Sequence, residues 1–261
     1  MNMPEIFSTK KPLVIIIAAA LVIIGALLVY GIMVTPARQP YRDALAQAQN
    51  VDKALARTNI AFNTSTATDE EFQKSVDAAQ SAFSSLNKEN AALGKMTVLT
   101  DGEGKTLYDA YNQKLLNYAL YSSDVLQSMT KVRPVLVKCS STMNTATQNS
   151  EGAAVLRVCA TEMRAASDVP DSDYQLLAET FAENYEVLAN TFEQLAALPD
   201  PQGADVARYT ELEAARDQAM NNFETAGATF SSDVQQHRKE ILATDTAKKL
   251  NDYLTNKSRI F

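Results

Sequence analysis

From Leu13 to Val34 the chain reads LVIIIAAALVIIGALLVYGIMV, 22 residues without a charge. About 20 apolar residues in a helix cross the hydrocarbon core of a bilayer, so this run predicts a transmembrane helix. A cleaved leader would carry a shorter apolar stretch of roughly 7–15 residues ending in small residues of the A-x-A kind. Here the run leaves through Met33-Val34-Thr35-Pro36-Ala37-Arg38, which reads as a retained anchor.

Beyond the anchor the pattern changes to the 4-3 spacing of amphipathic helices, and alternating strand patterns are nearly absent. Phe72, Val76, Ala79, Phe83, Leu86, Asn90 and Leu93 form a bundle seam with one polar member. Thr68-Asp69-Glu70-Glu71 precedes it as a capping box, with Thr68 at the N-cap and Glu71 reaching back to it. Tyr41, Leu45, Ala48, Val51, Leu55 and Phe62 predict a helix before this one, entered through Pro36 and Pro40 and left at Asn63-Thr64-Ser65-Thr66. Leu107, Tyr111, Leu115, Tyr118, Val125, Met129 and Val132 predict a third, kinked or ended near Pro134 because proline lacks a donor and clashes with the preceding turn.

A short helix is expected from about Glu151 to Ala166. Leu177, Phe181, Leu188, Phe192, Leu195 and Leu198 predict the next, closed by Pro199-Asp200-Pro201-Gln202-Gly203. Tyr209, Met220, Phe223, Phe230, Val234 and Ile241 run through the last long helix, with an interruption expected near Gly227 or Thr244-Asp245. The predicted fold is therefore all-α: a short segment over 1–12, a transmembrane helix over 13–34, and an elongated antiparallel helical bundle over 35–261, with a candidate subdivision at 199–203.

Composition adds that 46% hydrophobic and 21% charged residues are ordinary globular material plus an anchor. The formal net charge of −7 repels nucleic acid and anionic lipid headgroups, so neither is expected as the main ligand. The partners expected are the membrane, through the N-terminal helix, and another protein.

The two cysteines, Cys139 and Cys159, flank a stretch rich in Ser, Thr and Asn that would wander unless pinned. A disulfide between them is expected, worth on the order of 3 kcal/mol for a loop of this size. Two buried thiols that never meet are the alternative. The positive-inside count is nearly a tie, with Lys10 and Lys11 set against Arg38, Arg42 and Lys53. The cysteine pair fits an oxidising compartment and decides it: N-terminus cytoplasmic, domain extracytoplasmic, at the cell membrane.

Catalytic chemistry finds little support. Gly104-Lys105-Thr106 resembles the end of a phosphate-binding loop, but the required first glycine would fall at Leu99 and no strand leads in, so a turn at Asp101-Gly102-Glu103-Gly104 is expected. Asp168, Asp171, Asp173 and Glu179 suggest a calcium loop, yet its third and sixth positions would be Pro170 and Asp173. Asp171 or Ser172 is expected instead to cap the next helix. Glu179, Glu183 and Glu186 read as a solvated face. His237, the single histidine, falls on the seam after Phe230 and Val234 and is expected packed or at the edge of the core. Neither G-x-S-x-G, H-E-x-x-H nor paired C-x-x-C occurs, so no enzyme, metal or cofactor is expected.

Tyr108, Tyr111, Tyr118 and Tyr121 crowd one helix. Their spacing suits a core, and of the four Tyr108 and Tyr121 are the candidate partner surface, since tyrosine joins an apolar body to a polar tip. The function expected is a membrane-anchored, non-enzymatic protein-interaction or envelope scaffold module. The alternative is a ligand-sensing bundle working through a partner membrane protein.

Overall fold

A computed structural model describes residues 37–58, 68–199, 202–242 and 245–259. The expected span Leu13–Val34 lies outside the described residues, as do Pro36, Phe62 and the exit at 63–66. Among the described residues no helix is long and apolar enough to cross a membrane, and no strand occurs. The helices are α1 (residues 37–58), α2 (Asp69–Leu93), α3 (Gly102–Thr145), α4 (Ser150–Ala166), α5 (Ser172–Ala196), α6 (Val206–Leu242) and α7 (Asp245–Ser258), with one 3-10 turn at Thr97–Leu99.

They form two compact units. The first draws its described residues from Met1–Asn112 and Asp245–Phe261, the second from Gln113–Thr244. The partition therefore falls within α3 and between α6 and α7, whereas the candidate subdivision at 199–203 lies inside the second unit.

In the first unit, α2 begins as its sequence dictates: Thr68 accepts from the Glu71 N–H at 3.2 Å and Glu71 accepts in return from the Thr68 N–H. Its seam buries Phe72, Val76, Ala79, Leu86, Asn90 and Leu93, and Phe83 is half-buried. Helix α1 is shifted from expectation. Its buried face is Ala44, Ala48, Val51, Ala54 and Thr58, while Leu45 and Leu55 are half-buried flanks. Small residues let neighbouring backbones approach closely, and the contacts of α1 are correspondingly polar at the edges. Asp52 accepts from the Tyr111 hydroxyl at 3.2 Å and from Asn251 at 3.3 Å, and Gln47 donates to the Glu89 carbonyl at 2.9 Å.

The start of α3 explains its glycines without any phosphate chemistry. Gly102 has φ +54, and a Cβ on Gly104 would lie 2.0 Å from the Val98 carbonyl oxygen. The helix starts at Gly102, so the expected turn falls just ahead of it, around Thr97–Leu99.

In the second unit α3 runs through Pro134 to Thr145, so proline does not end it. Val132 before and Cys139 after the proline are fully buried, which holds the helix across the missing hydrogen bond. Helix α4 buries Leu156, Cys159, Ala160 and Met163. Val155, one turn before Cys159, is 45% exposed because it lies one position off the buried stripe. Helices α5 and α6 run antiparallel: Tyr174 stacks edge-on to Phe230 at 4.6 Å, and Phe181 to Phe223 at 4.9 Å, so residue number rises along one as it falls along the other. Helix α6 passes uninterrupted through Gly227 to Leu242, and α7 begins at Asp245; Thr244, the other expected interruption, lies outside the described residues. Met220, expected on its seam, is exposed, and the buried positions are Leu212, Ala219 and Phe223.

Candidate functional site

The features that could serve function lie in the second unit, on the α5–α6 pair and at the α5 N-terminus. Asp171 is the N-cap of α5, accepting from the Tyr174 N–H at 3.0 Å. Its own N–H donates to Ser128 Oγ of α3 at 3.1 Å, so the cap is tied to a second helix. Asp171 is 6% exposed, and burial raises its carboxyl above the ordinary range against the opposing pull of the Tyr174 N–H.

Asp173, two residues on, lies 2.8 Å from His237 Nδ1 of α6. That hydrogen bond, followed by the charge of Asp173, raises the His237 pKa above its usual value. His237, expected packed or at the edge of the core, is an exposed ion-pair partner and is not packed within the core. Helix α6 shows the core only a narrow stripe, and position 237 rotates off it.

Between these residues opens a cavity of about 270 Å³ lined by Tyr121, Asp124, Asp171, His237, Glu240 and Ile241 among others. Tyr121 is half-buried and its hydroxyl donates to the Val234 carbonyl at 3.2 Å. Burial, and then the charges of Asp171 and Asp173, push its phenol well above the usual range. Tyr108, the other candidate surface tyrosine, is half-buried in the first unit and donates to the Asn90 carbonyl at 3.1 Å. Tyr111 and Tyr118 are buried. Both candidate tyrosines therefore spend their hydroxyls inside their own unit.

The four acids of the rejected calcium loop disperse. Asp168 faces Lys131 at 3.6 Å, Asp171 caps α5, Asp173 pairs with His237, and Glu179 accepts from Gln175 at 2.9 Å. No cluster that could hold a metal ion occurs among the described residues.

Cys139 of α3 and Cys159 of α4 are brought together in a disulfide with Cα atoms 5.6 Å apart. Both are fully buried, and the bond closes the connection across 146–149, where Asn149 caps α4 by accepting from the Gly152 N–H at 2.9 Å. Lys138 pairs with Glu162 beside it.

The feature that sequence reading missed is a groove of about 460 Å³ along α5 and α6. Leu176, Thr180, Glu183 and Val187 form one wall at 4-3-4 spacing, and Asn222, Ala226, Thr229 and Asp233 form the other. Leu177 and Phe230 also line it. Leu176 is 60% and Val187 44% exposed. Asn222 donates to Asn184 Oδ1 at 3.1 Å across the groove, and Asn184 Nδ2 donates to the Thr180 carbonyl at 2.8 Å. The sequence signal is an apolar residue at 176 and another at 187, flanking Glu179, Glu183 and Glu186, which read as a solvated face. Neither a protein-family model, a curated protein nor a solved structure matches the chain.

Proposed function

We propose that this chain is a membrane-anchored protein-interaction module. Leu13–Val34 holds it in the cell membrane with the N-terminus cytoplasmic, and the helices that follow lie on the extracytoplasmic side. The α5–α6 groove receives part of another protein. The observation that carries this reading is the groove itself, with Leu176 and Val187 exposed along its length. Exposed apolar side chains arranged along a concave surface with a polar rim suit a partner, whereas scattered ones need no explanation. The Cys139–Cys159 disulfide supports an oxidising side of the membrane. A tether raises the local concentration of the module beside its partner, so a shallow groove suffices for binding.

A second reading, a bundle that senses a small ligand and acts through a partner membrane protein, has the 270 Å³ cavity at the α5 N-terminus as its support. That volume is at the lower limit for ligand pockets, and two of its lining residues, Asp171 and His237, are already engaged in a cap and an ion pair.

The test is photo-cross-linking in native membranes, with a photoreactive side chain placed at Leu176 and, as control, at Val155, which is exposed on α4. A discrete adduct from position 176 and none from 155 is expected, in membranes washed with carbonate to leave integral proteins. Absence of an adduct at 176, or loss of the chain in the carbonate wash, overturns the reading.

A further inference from the structure

The α5–α6 groove carries a charge as well as a shape. Its acidic lining residues are Asp173, Glu183 and Asp233, and among the described residues neither lysine nor arginine lines it. Asp173 is held by His237, which leaves Glu183 and Asp233 on opposite walls as the charges facing a guest. The apolar surface is Leu176, Leu177, Val187, Ala226 and Phe230, and the small side chains of Thr180, Thr225, Ala226 and Thr229 leave room for a backbone to come close. Leu176 and Val187 lie three helical turns apart, about 16 Å at the rise of an α-helix.

These features fit one occupant. Resting on the interaction reading above, we propose that the groove binds an amphipathic helix of a partner protein, with an apolar stripe flanked by lysine or arginine. A helix laid along the antiparallel pair puts its i, i+3 and i+4 and i+7 side chains between Leu176 and Val187. Basic residues on its two flanks then meet Glu183 on one wall and Asp233 on the other. A second copy of this chain is disfavoured by the same charges. A two-fold contact through this face would set Glu183 and Asp233 against their own images, in a chain whose formal net charge is −7. Anionic membrane surface is disfavoured for the same reason.

The experiment uses the full-length chain in nanodiscs of zwitterionic lipid, with empty nanodiscs as the blank. The probe is a fluorescent 18-residue peptide with leucine at 4-3 spacing and lysine on its flanks, and its twin has glutamate in place of each lysine. Saturable binding of the lysine peptide in one-to-one ratio is expected, with no binding of the glutamate twin. The double variant Glu183→Lys with Asp233→Lys should weaken binding at least about tenfold, as should Leu176→Asp. The double variant Glu179→Lys with Glu224→Lys, with both positions exposed outside the groove, should bind as the parent does. Circular dichroism of each variant verifies that the helices are intact.

Equal weakening by the two charge reversals would reduce the attraction to net charge and overturn the proposal. So would binding of the glutamate twin, or a membrane cross-link at Leu176 whose mass is twice that of the chain. If the peptides fail while Leu176 still yields a discrete adduct with another protein in membranes, the basic-helix chemistry falls and the interaction module stands. If the adduct is missing as well, both fall.

Discussion

Asn222 of α6 donates to Asn184 Oδ1 of α5 at 3.1 Å, joining the two walls of the groove. Asn184 is buried, and the Thr180 carbonyl accepts its Nδ2, which fixes the end of the amide that faces Asn222. A satisfied polar pair between two helices sets their register as well as contributing to stability.

Asn222→Ala should therefore cost about 1 kcal/mol, because the Asn184 oxygen loses its donor while remaining sheltered. Urea denaturation of the purified full-length chain measures this. An unchanged midpoint would mean that the pair contributes nothing to the α5–α6 contact.

Asp171 separates capping from charge. Its carboxyl is raised mainly by burial, so folding favours the protonated form, and stability declines as pH climbs from about 3.9 through the folded value. Asn caps as well as Asp without burying a charge, so Asp171→Asn should equal or exceed the parent in stability at neutral pH. Asp171→Ala should lose about 1 kcal/mol with the cap. Thermal melts at several pH values check both, and an Asn variant as weak as the Ala variant contradicts the capping role.

His237 is the single histidine, so its ring signals are assigned without ambiguity. The hydrogen bond and charge of Asp173 raise its pKa, so an NMR titration should give a midpoint above about 6.5 that falls back in Asp173→Asn. The stability this pair supplies is present in full below about pH 6.5 and is lost as pH rises through the folded value. It is a solvent-exposed pair, and its contribution stays within the small range of surface ion pairs. A midpoint at or below the ordinary value contradicts the contact.

Much of the fold is legible in the residues themselves. The Thr68–Glu71 box caps α2, the 72–93 seam is buried apart from half-buried Phe83, and α4 occupies the stretch its pattern marks. Local chemistry and period determine those features. The departures come from packing. Helix α1 turns Ala44 and Ala54 inward in place of the larger Leu45 and Leu55, which a count of large apolar residues cannot show. Proline at 134 leaves α3 intact because the burial of Val132 and Cys139 outweighs one lost hydrogen bond. The groove was hidden for a related reason. Its walls mix Leu, Thr, Asn and acidic side chains, and only the antiparallel pairing of α5 with α6 makes a surface of them.

The disulfide links chemistry to location. Cys139 and Cys159 are 20 residues apart, and a bridge over that span should contribute about 3 kcal/mol. Reduction should lower the melting temperature and leave helicity largely intact, since the burial along α5 and α6 does not depend on it. Mass spectrometry of non-reduced protein from native membranes should find neither thiol alkylatable. Two alkylatable thiols would remove the support for an extracytoplasmic domain.

The open groove is tested most directly by methyl NMR of the full-length chain labelled at leucine and valine. The Leu176 and Val187 methyls should show contacts only with α5 and α6 and should broaden when a soluble paramagnetic agent is added. Contacts from either methyl to another segment of the chain, together with protection from the agent, would show the groove already filled and contradict a docking face.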